Sequence, residues 1–128
     1  MKFGFFNQEI SENEILNKGL EFAMEFGSNW LQSIHTRLSK KYKQLSKEKL
    51  DYYNDFCRMT MDEGHRFINE SLCKLHDDNK SITQQKLKED FNSFMLGKYN
   101  WINNQNLKHL FSQSLYYTWK EGLNDIIK

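Results

Sequence analysis

The chain has 128 residues, with 18 Lys and Arg against 17 Asp and Glu and a formal charge of +1. That length is about one domain, 1–128, with no room for a catalytic domain plus a regulatory one. The near-neutral balance argues against a general polyanion binder and against an acidic solvating tail. Ile, Leu and Phe supply 32 residues, a quarter of the chain, while Val and Pro are absent, Ala occurs once and Asn thirteen times. A chain below roughly 20% in such residues usually builds no core, so pervasive disorder is excluded, as are collagen-like sequence and a disulfide scaffold.

From residue 11 onward the pattern is helical. Ser11 and Glu14 fit a capping box, in which each side chain satisfies the other residue's free amide. Leu16, Leu20, Ala23, Gly27, Trp30 or Leu31, Ile34 and Leu38 then keep a 3.6-residue period that passes through Gly27. The spacing predicts one long helix over 12–44, because a lone Gly costs only about 1 kcal/mol in a helix interior. Gly19, Ala23 and Gly27 form a small-residue stripe, expected to let another helix of the same chain approach closely. Ser46 is the next N-cap, and Leu50, Tyr53, Cys57, Thr60 or Met61, Gly64, Phe67 or Ile68, Leu72 and Leu75 carry a second helix to about residue 76. His76-Asp77-Asp78-Asn79-Lys80 has the composition of a turn. Ser81 with Gln84 is a second candidate capping box, followed by Leu87, Phe91, Phe94 and Met95 at helical spacing, with Gly97 a candidate end. Asn100 to Asn106 is a polar joint. Leu107, Leu110, Phe111, Leu115, Thr118 or Trp119, Leu123, Ile126 and Ile127 form the stripe of a last helix. No segment alternates with period two. The expectation is all-α: a single-domain antiparallel bundle of four to five helices, with a long N-terminal helical hairpin.

Cys57 and Cys73 lie sixteen residues apart on one helical pattern, roughly 24 Å at 1.5 Å per residue. They cannot pair, since a disulfide needs Cα atoms within about 7 Å. The apolar start Met1-Lys2-Phe3-Gly4-Phe5-Phe6 stops at Asn7-Gln8-Glu9, too short for a signal peptide. No window approaches a membrane span. A cytoplasmic protein is expected, with no membrane partner.

Catalytic motifs are absent. No two of His35, His65, His76 and His109 are three or four residues apart, and no Glu-x-x-His occurs, which argues against a di-iron bundle. There is no Gly-x-Ser-x-Gly elbow, no recognisable Cys-His spacing and no Gly-rich phosphate loop. Neither a cofactor nor a metal is expected, and the chain reads as a non-enzyme. One stretch points elsewhere. Leu75-His76-Asp77-Asp78-Asn79-Lys80 resembles the Leu-His-Asp-x-Gly-Lys stretch of HD-domain phosphohydrolases over six residues, with Asn79 where that family prefers Gly. The resemblance implies a metal on His76 and Asp77 that activates water for phosphoester cleavage. It also requires an upstream His, for which His35 or His65 is available, and a downstream Asp, for which Asp125 is. A helix-ending turn accounts for the same residues without a metal.

Charge and aromatic content set the remaining expectations. Residues 37–49 hold Arg37, Lys40, Lys41, Lys43, Lys47 and Lys49 against Glu48 alone, a net +5, while residues 1–36 carry −3 and 50–128 carry −1. This basic segment, at the Ser46 break, could grip phosphates or an acidic protein surface. Aromatics make 19 of 128 residues. Neighbours on a helix point about 100° apart, so Tyr52-Tyr53, Tyr99-Asn100-Trp101 and Tyr116-Tyr117-Trp119 cannot all face one core. Some of Tyr52, Tyr99, Trp101, Tyr116 and Trp119 should reach the surface, where Tyr and Trp anchor interfaces. With no motif for chemistry, the sequence favours a small protein-binding module of the inhibitor, immunity or antitoxin type, acting by steric occlusion. Its expected contact residues are Arg37, Lys40, Lys41, Lys43, Tyr52, Tyr99, Trp101, Tyr116 and Trp119. A nucleic-acid module using 37–49 and a phosphohydrolase centred on His76-Asp77 are the alternatives. Partner identity and oligomeric state are not encoded in any recognisable pattern.

Overall fold

The computed structural model describes residues 11–25 and 33–128. They form five α-helices: α1 (Glu12–Ala23), α2 (His35–Lys41), α3 (Lys47–Asp77), α4 (Gln84–Lys98) and α5 (Asn104–Lys120), then a 3₁₀ turn at Asn124–Ile126. The all-α, single-domain architecture follows the sequence. Short polar side chains start the helices. Ser11 Oγ accepts from the Glu14 amide at 3.2 Å, Ser46 Oγ from Lys49 at 3.2 Å and Asn103 Oδ1 from Asn106 at 2.8 Å.

The expected helix over 12–44 is corrected: α1 ends at Ala23. Side chains reach its last carbonyls, beside a turn in which the Glu25 amide donates to the Phe22 carbonyl at 3.3 Å. The Phe22 carbonyl accepts from Arg37 Nη1 at 3.1 Å, and the Met24 carbonyl from Gln113 Nε2 at 2.8 Å. Gly27 and Ser28 lie outside the described residues. The long N-terminal hairpin is not confirmed, since residues 26–32 of its first arm lie outside the described residues, and the described part of that arm does not run antiparallel throughout. Tyr53 and Cys57 of α3 meet Glu12 and Leu16 of α1 in ascending order, so α1 and α3 run the same way. Gly64 meets Leu110 and His65 meets Gln113, so α5 also runs with α3. The short α2 returns against α3, with Ile34 on Asn54 and His35 on Asp51. In the same sense α4 is antiparallel, with Lys98 on Glu63 and Phe94 on Phe67.

Two further boundaries move. The cap of α4 is Thr83, which accepts from Lys86, and not Ser81. Ile82 is held extended by the C-terminal segment, donating to the Ile126 carbonyl at 3.0 Å and accepting from Lys128 at 2.8 Å, so the helix begins only beyond it. The last helix stops at Lys120 and not at Ile127. Gly122 adopts φ +78°, a conformation that favours glycine, and the chain turns back. Leu123, Ile126 and Ile127 then pack on the core from this turn. The turn after α3 is as the composition indicates, with Asn79 at φ +55° and the Lys80 amide closing on the Leu75 carbonyl at 2.8 Å.

The 31-residue α3 is the axis of the molecule. Its buried positions, Tyr53, Cys57, Thr60, Met61, Gly64, Ile68 and Leu72, keep the expected period. The larger cluster gathers Leu20, Met24, Ile68, Leu72, Phe91, Met95 and Leu110; the smaller gathers Leu16, Ile34, Leu38, Tyr42, Tyr53 and Cys57. Phe56 and Trp101 pack against both. Small residues set the spacing between helices. A Cβ on Gly19 would lie 2.7 Å from Cys57 Sγ, and one on Gly64 would lie 2.7, 2.9 and 3.2 Å from Leu110 side-chain atoms. The described part of the small-residue stripe thus serves packing of α1 on α3.

Gly64→Ala gains about 1 kcal/mol of helix propensity but overpacks against a fully buried Leu110, an effect of about 1–3 kcal/mol. Urea unfolding should show a lower midpoint for the variant. A raised midpoint would mean that α5 does not approach α3 this closely.

Candidate functional site

The basic segment occupies the corner between α2 and α3. Lys40 and Lys41 end α2, Lys43 lies in the connection, and Lys47 and Lys49 open α3; all five are exposed. Lys41 Nζ stands 5.7 Å from the Tyr42 ring centre. Lys47 reaches Asp51 at 3.5 Å. Asp51 also meets His35 Nε2 at 2.5 Å, and this hydrogen bond, with Lys47 beside it, holds its carboxyl below the usual range. Arg37 is set apart from the lysines. Its guanidinium turns inward to the Phe22 carbonyl and to Glu25 Oε1 at 2.7 Å, and lies 5.0 Å from the Phe22 ring centre. Arg37 is half-buried, and these contacts tie α2 to the end of α1.

The five aromatics divide. Tyr52 is 50% exposed and stacks on Phe56, with centroids 5.6 Å apart and planes 10° apart. Phe56 in turn contacts the Tyr99 and Trp101 rings, each at 5.9 Å. Tyr99, expected at the surface, is only 3% exposed. The α4–α5 joint folds over Phe56 and carries it inside, so it is corrected to a core residue. Its hydroxyl lies near the Glu63 carboxylate without hydrogen-bonding geometry, and burial followed by that charge pushes its pKa up to about 12. Trp101 is half-buried, and its carbonyl accepts from Asn17 Nδ2 at 2.8 Å.

Tyr116 and Trp119 stand at the far end of α5, 45% and 64% exposed, with rings 6.1 Å apart. Lys120 lies over Tyr116 at 5.6 Å, and Tyr117 packs on the His65 ring at 5.0 Å. The α3–α5 register puts Asn69 beside Glu121, so Trp119 and Tyr52 are separated by roughly 25 Å along the bundle. The expected contact residues therefore form two surfaces: a cationic corner with Tyr52, and an aromatic end with Tyr116 and Trp119. Met59, Phe94 and Leu96 are exposed as well. The position of Met59 off the buried period of α3 was a signal available in the sequence.

The residues that the HD-like stretch would need do not converge. His76 and Asp77 are exposed at the end of α3. His76 shares a shallow hollow with Asp125, Lys80 and Lys128, but Asp77 does not line it. His35 is engaged by Asp51, and His65 by Gln113 Oε1 at 2.8 Å. Among the described residues no group of three or more His, Cys, Asp or Glu could hold a metal ion. No described helix is long and apolar enough to cross a membrane. Burial pushes the Cys57 thiol up to about 12, far from a reactive thiolate at neutral pH. No family model, curated protein or solved structure matches the chain.

His65 packs between α3 and α5, against Gln113 and the Tyr117 ring. Burial lowers its pKa from 6.5, opposed more weakly by the Gln113 hydrogen bond and by Asp62. The unfolded chain therefore takes up this proton first. The stability His65 contributes is present above about 6.5 and is lost as pH falls from there toward its folded pKa. His65→Gln should flatten the pH dependence of the urea midpoint as pH falls below about 6.5. An unchanged slope would assign that dependence to other groups.

Proposed function

We propose that this chain is a small protein-binding module of the inhibitor, immunity or antitoxin type, acting by steric occlusion of a partner's surface. The observation that carries this proposal is the exposed pair Tyr116 and Trp119, one helical turn apart on α5, with Trp119 64% exposed. Large rings left in water on a rigid helix are the residue types that supply most binding energy when a partner covers them. Tyr and Trp lose little side-chain freedom on docking, so their burial is converted to affinity with small entropic loss. Lys120 beside Tyr116 adds a charge at the rim, where it would favour encounter and orientation. Exposed lysines at the opposite corner would contribute longer-range steering toward an acidic partner.

The test is a tagged pull-down from the native source, with nuclease present, comparing wild type with Tyr116→Ala/Trp119→Ala. The wild type should retain one protein near stoichiometric yield. The double variant should lose it, since anchor truncations cost about 2 kcal/mol or more, at least thirtyfold in affinity. A partner held equally by both, or no stoichiometric protein partner, would contradict the proposal.

A further inference from the structure

The cationic corner is a second surface, independent of the aromatic end. The last turn of α2 contributes Lys40 and Lys41 to it, the connection Lys43, and the first turn of α3 Lys47 and Lys49. Lys40, Lys43 and Lys49 have no carboxylate within ion-pairing distance among the described residues, and Lys47 has one at 3.5 Å. Of the nearby acids, Asp51 is shared between His35 and Lys47, and Glu12 accepts from the Tyr53 hydroxyl at 3.0 Å. Glu48 is the one carboxylate within the segment. The corner is therefore a concentration of positive charge that Asp51 and Glu48 offset only in part.

Its chemistry is specific in two ways. The only guanidinium of the segment, Arg37, is committed inward to Phe22 and Glu25. What remains is lysine, a compact point charge on a flexible stem, suited to phosphates without fixed geometry and poorly suited to the bidentate capture of carboxylates. Beside the lysines stands an open ring. Tyr52 is one turn beyond Lys49, shares with it a hollow that Glu12, Ser46 and Glu48 also line, and is backed by Phe56 stacked nearly parallel behind it. A half-exposed ring supported from behind offers its outer face to another flat group. Phosphate-binding cations tracking toward an aromatic platform are the two components by which proteins hold single-stranded nucleic acid irrespective of sequence.

We propose that the α2–α3 corner binds a single-stranded nucleic acid through its backbone, with one base stacked on Tyr52. The lysines neutralise successive phosphates, releasing counterions, and the ring favours an unpaired strand over a duplex, whose bases are not free to stack. This site does not rest on the protein-binding role of Tyr116 and Trp119, and each can fail alone.

The test is fluorescence anisotropy of the full chain with a labelled mixed-sequence twenty-nucleotide DNA single strand. Up to five phosphate contacts, each contributing a slope of about −0.7, would weaken binding on the order of 10²-fold between 50 and 200 mM salt. Lys40→Glu/Lys41→Glu/Lys43→Glu should abolish binding, and Tyr52→Ala should weaken it roughly fivefold or more. All four positions are exposed, and circular dichroism would confirm that the variants fold. Tyr116→Ala/Trp119→Ala should bind as wild type does. Absence of binding at 50 mM salt, or binding that survives the charge reversal, would overturn the proposal. A duplex held as tightly as the single strand would overturn it too. So would polyglutamate competing as well as the oligonucleotide, which would make the corner a docking surface for an acidic protein.

Discussion

The close, same-direction packing of α1 and α5 on α3 is the constraint on which the rest of the molecule depends. It is made possible where side chains are missing or small: Gly19 against Cys57, and Gly64 against Leu110. Helices that run the same way bring like ends of their dipoles together, which is unfavourable where those ends are adjacent. Side chains offset this at both levels. Near the C-terminus of α1, Arg37 and Gln113 donate to the Phe22 and Met24 carbonyls. Near the N-terminus of α5, Asn17 joins the two helices and the joint before them.

Asn17 uses its whole amide. Its Nδ2 donates to the Asn13 and Trp101 carbonyls, and its Oδ1 accepts from the Asn103 amide and from Asn106 Nδ2. Leaving one such half-buried group unpaired costs at most about 1–3 kcal/mol, so the arrangement favours one register over its neighbours. The consequence reaches the surface. Fixing the α4–α5 joint seats Trp101 and Tyr99 over Phe56 and leaves Tyr52 outside it. Gln113, held by His65 on one side and Met24 on the other, fixes the rotation of α5 and thereby turns Tyr116 and Trp119 outward. The two exposed surfaces are thus products of the same buried hydrogen bonds.

Local signals were legible in the sequence. Ser11 and Ser46 cap helices because a short side-chain oxygen can reach a free amide within its own turn, and nothing distant is needed. The buried face of α3 follows from periodicity alone. The ends of α1 and α5 were not legible, because both depend on distant partners. The pattern through Ile34 and Leu38 keeps a helical period by coincidence of two helices packed on the same core. Leu123, Ile126 and Ile127 pack half-buried on the core from a turn, where periodicity has no meaning. Ser81 and Thr83 are equivalent caps locally, and only the contact of Ile82 with the C-terminal segment decides between them. At the candidate surfaces, crowding of aromatics on adjacent faces indicated that some of Tyr52, Tyr99, Trp101, Tyr116 and Trp119 are exposed, but not which. The burial of Tyr99 and the inward turn of Arg37 required knowing what packs over Phe56 and where α1 ends.

The most direct test of the same-direction packing is a double-mutant cycle on Asn17→Ala and Asn106→Ala, read as urea unfolding free energies. Asn106 Nδ2 meets Asn17 Oδ1 at 3.0 Å and its carbonyl at 2.8 Å, a contact that sets the first turn of α5 beside the middle of α1. The structure predicts a coupling of about 1 kcal/mol or more between the two substitutions. Additivity within about 0.3 kcal/mol would place the two residues apart and contradict the packing from which both surfaces follow.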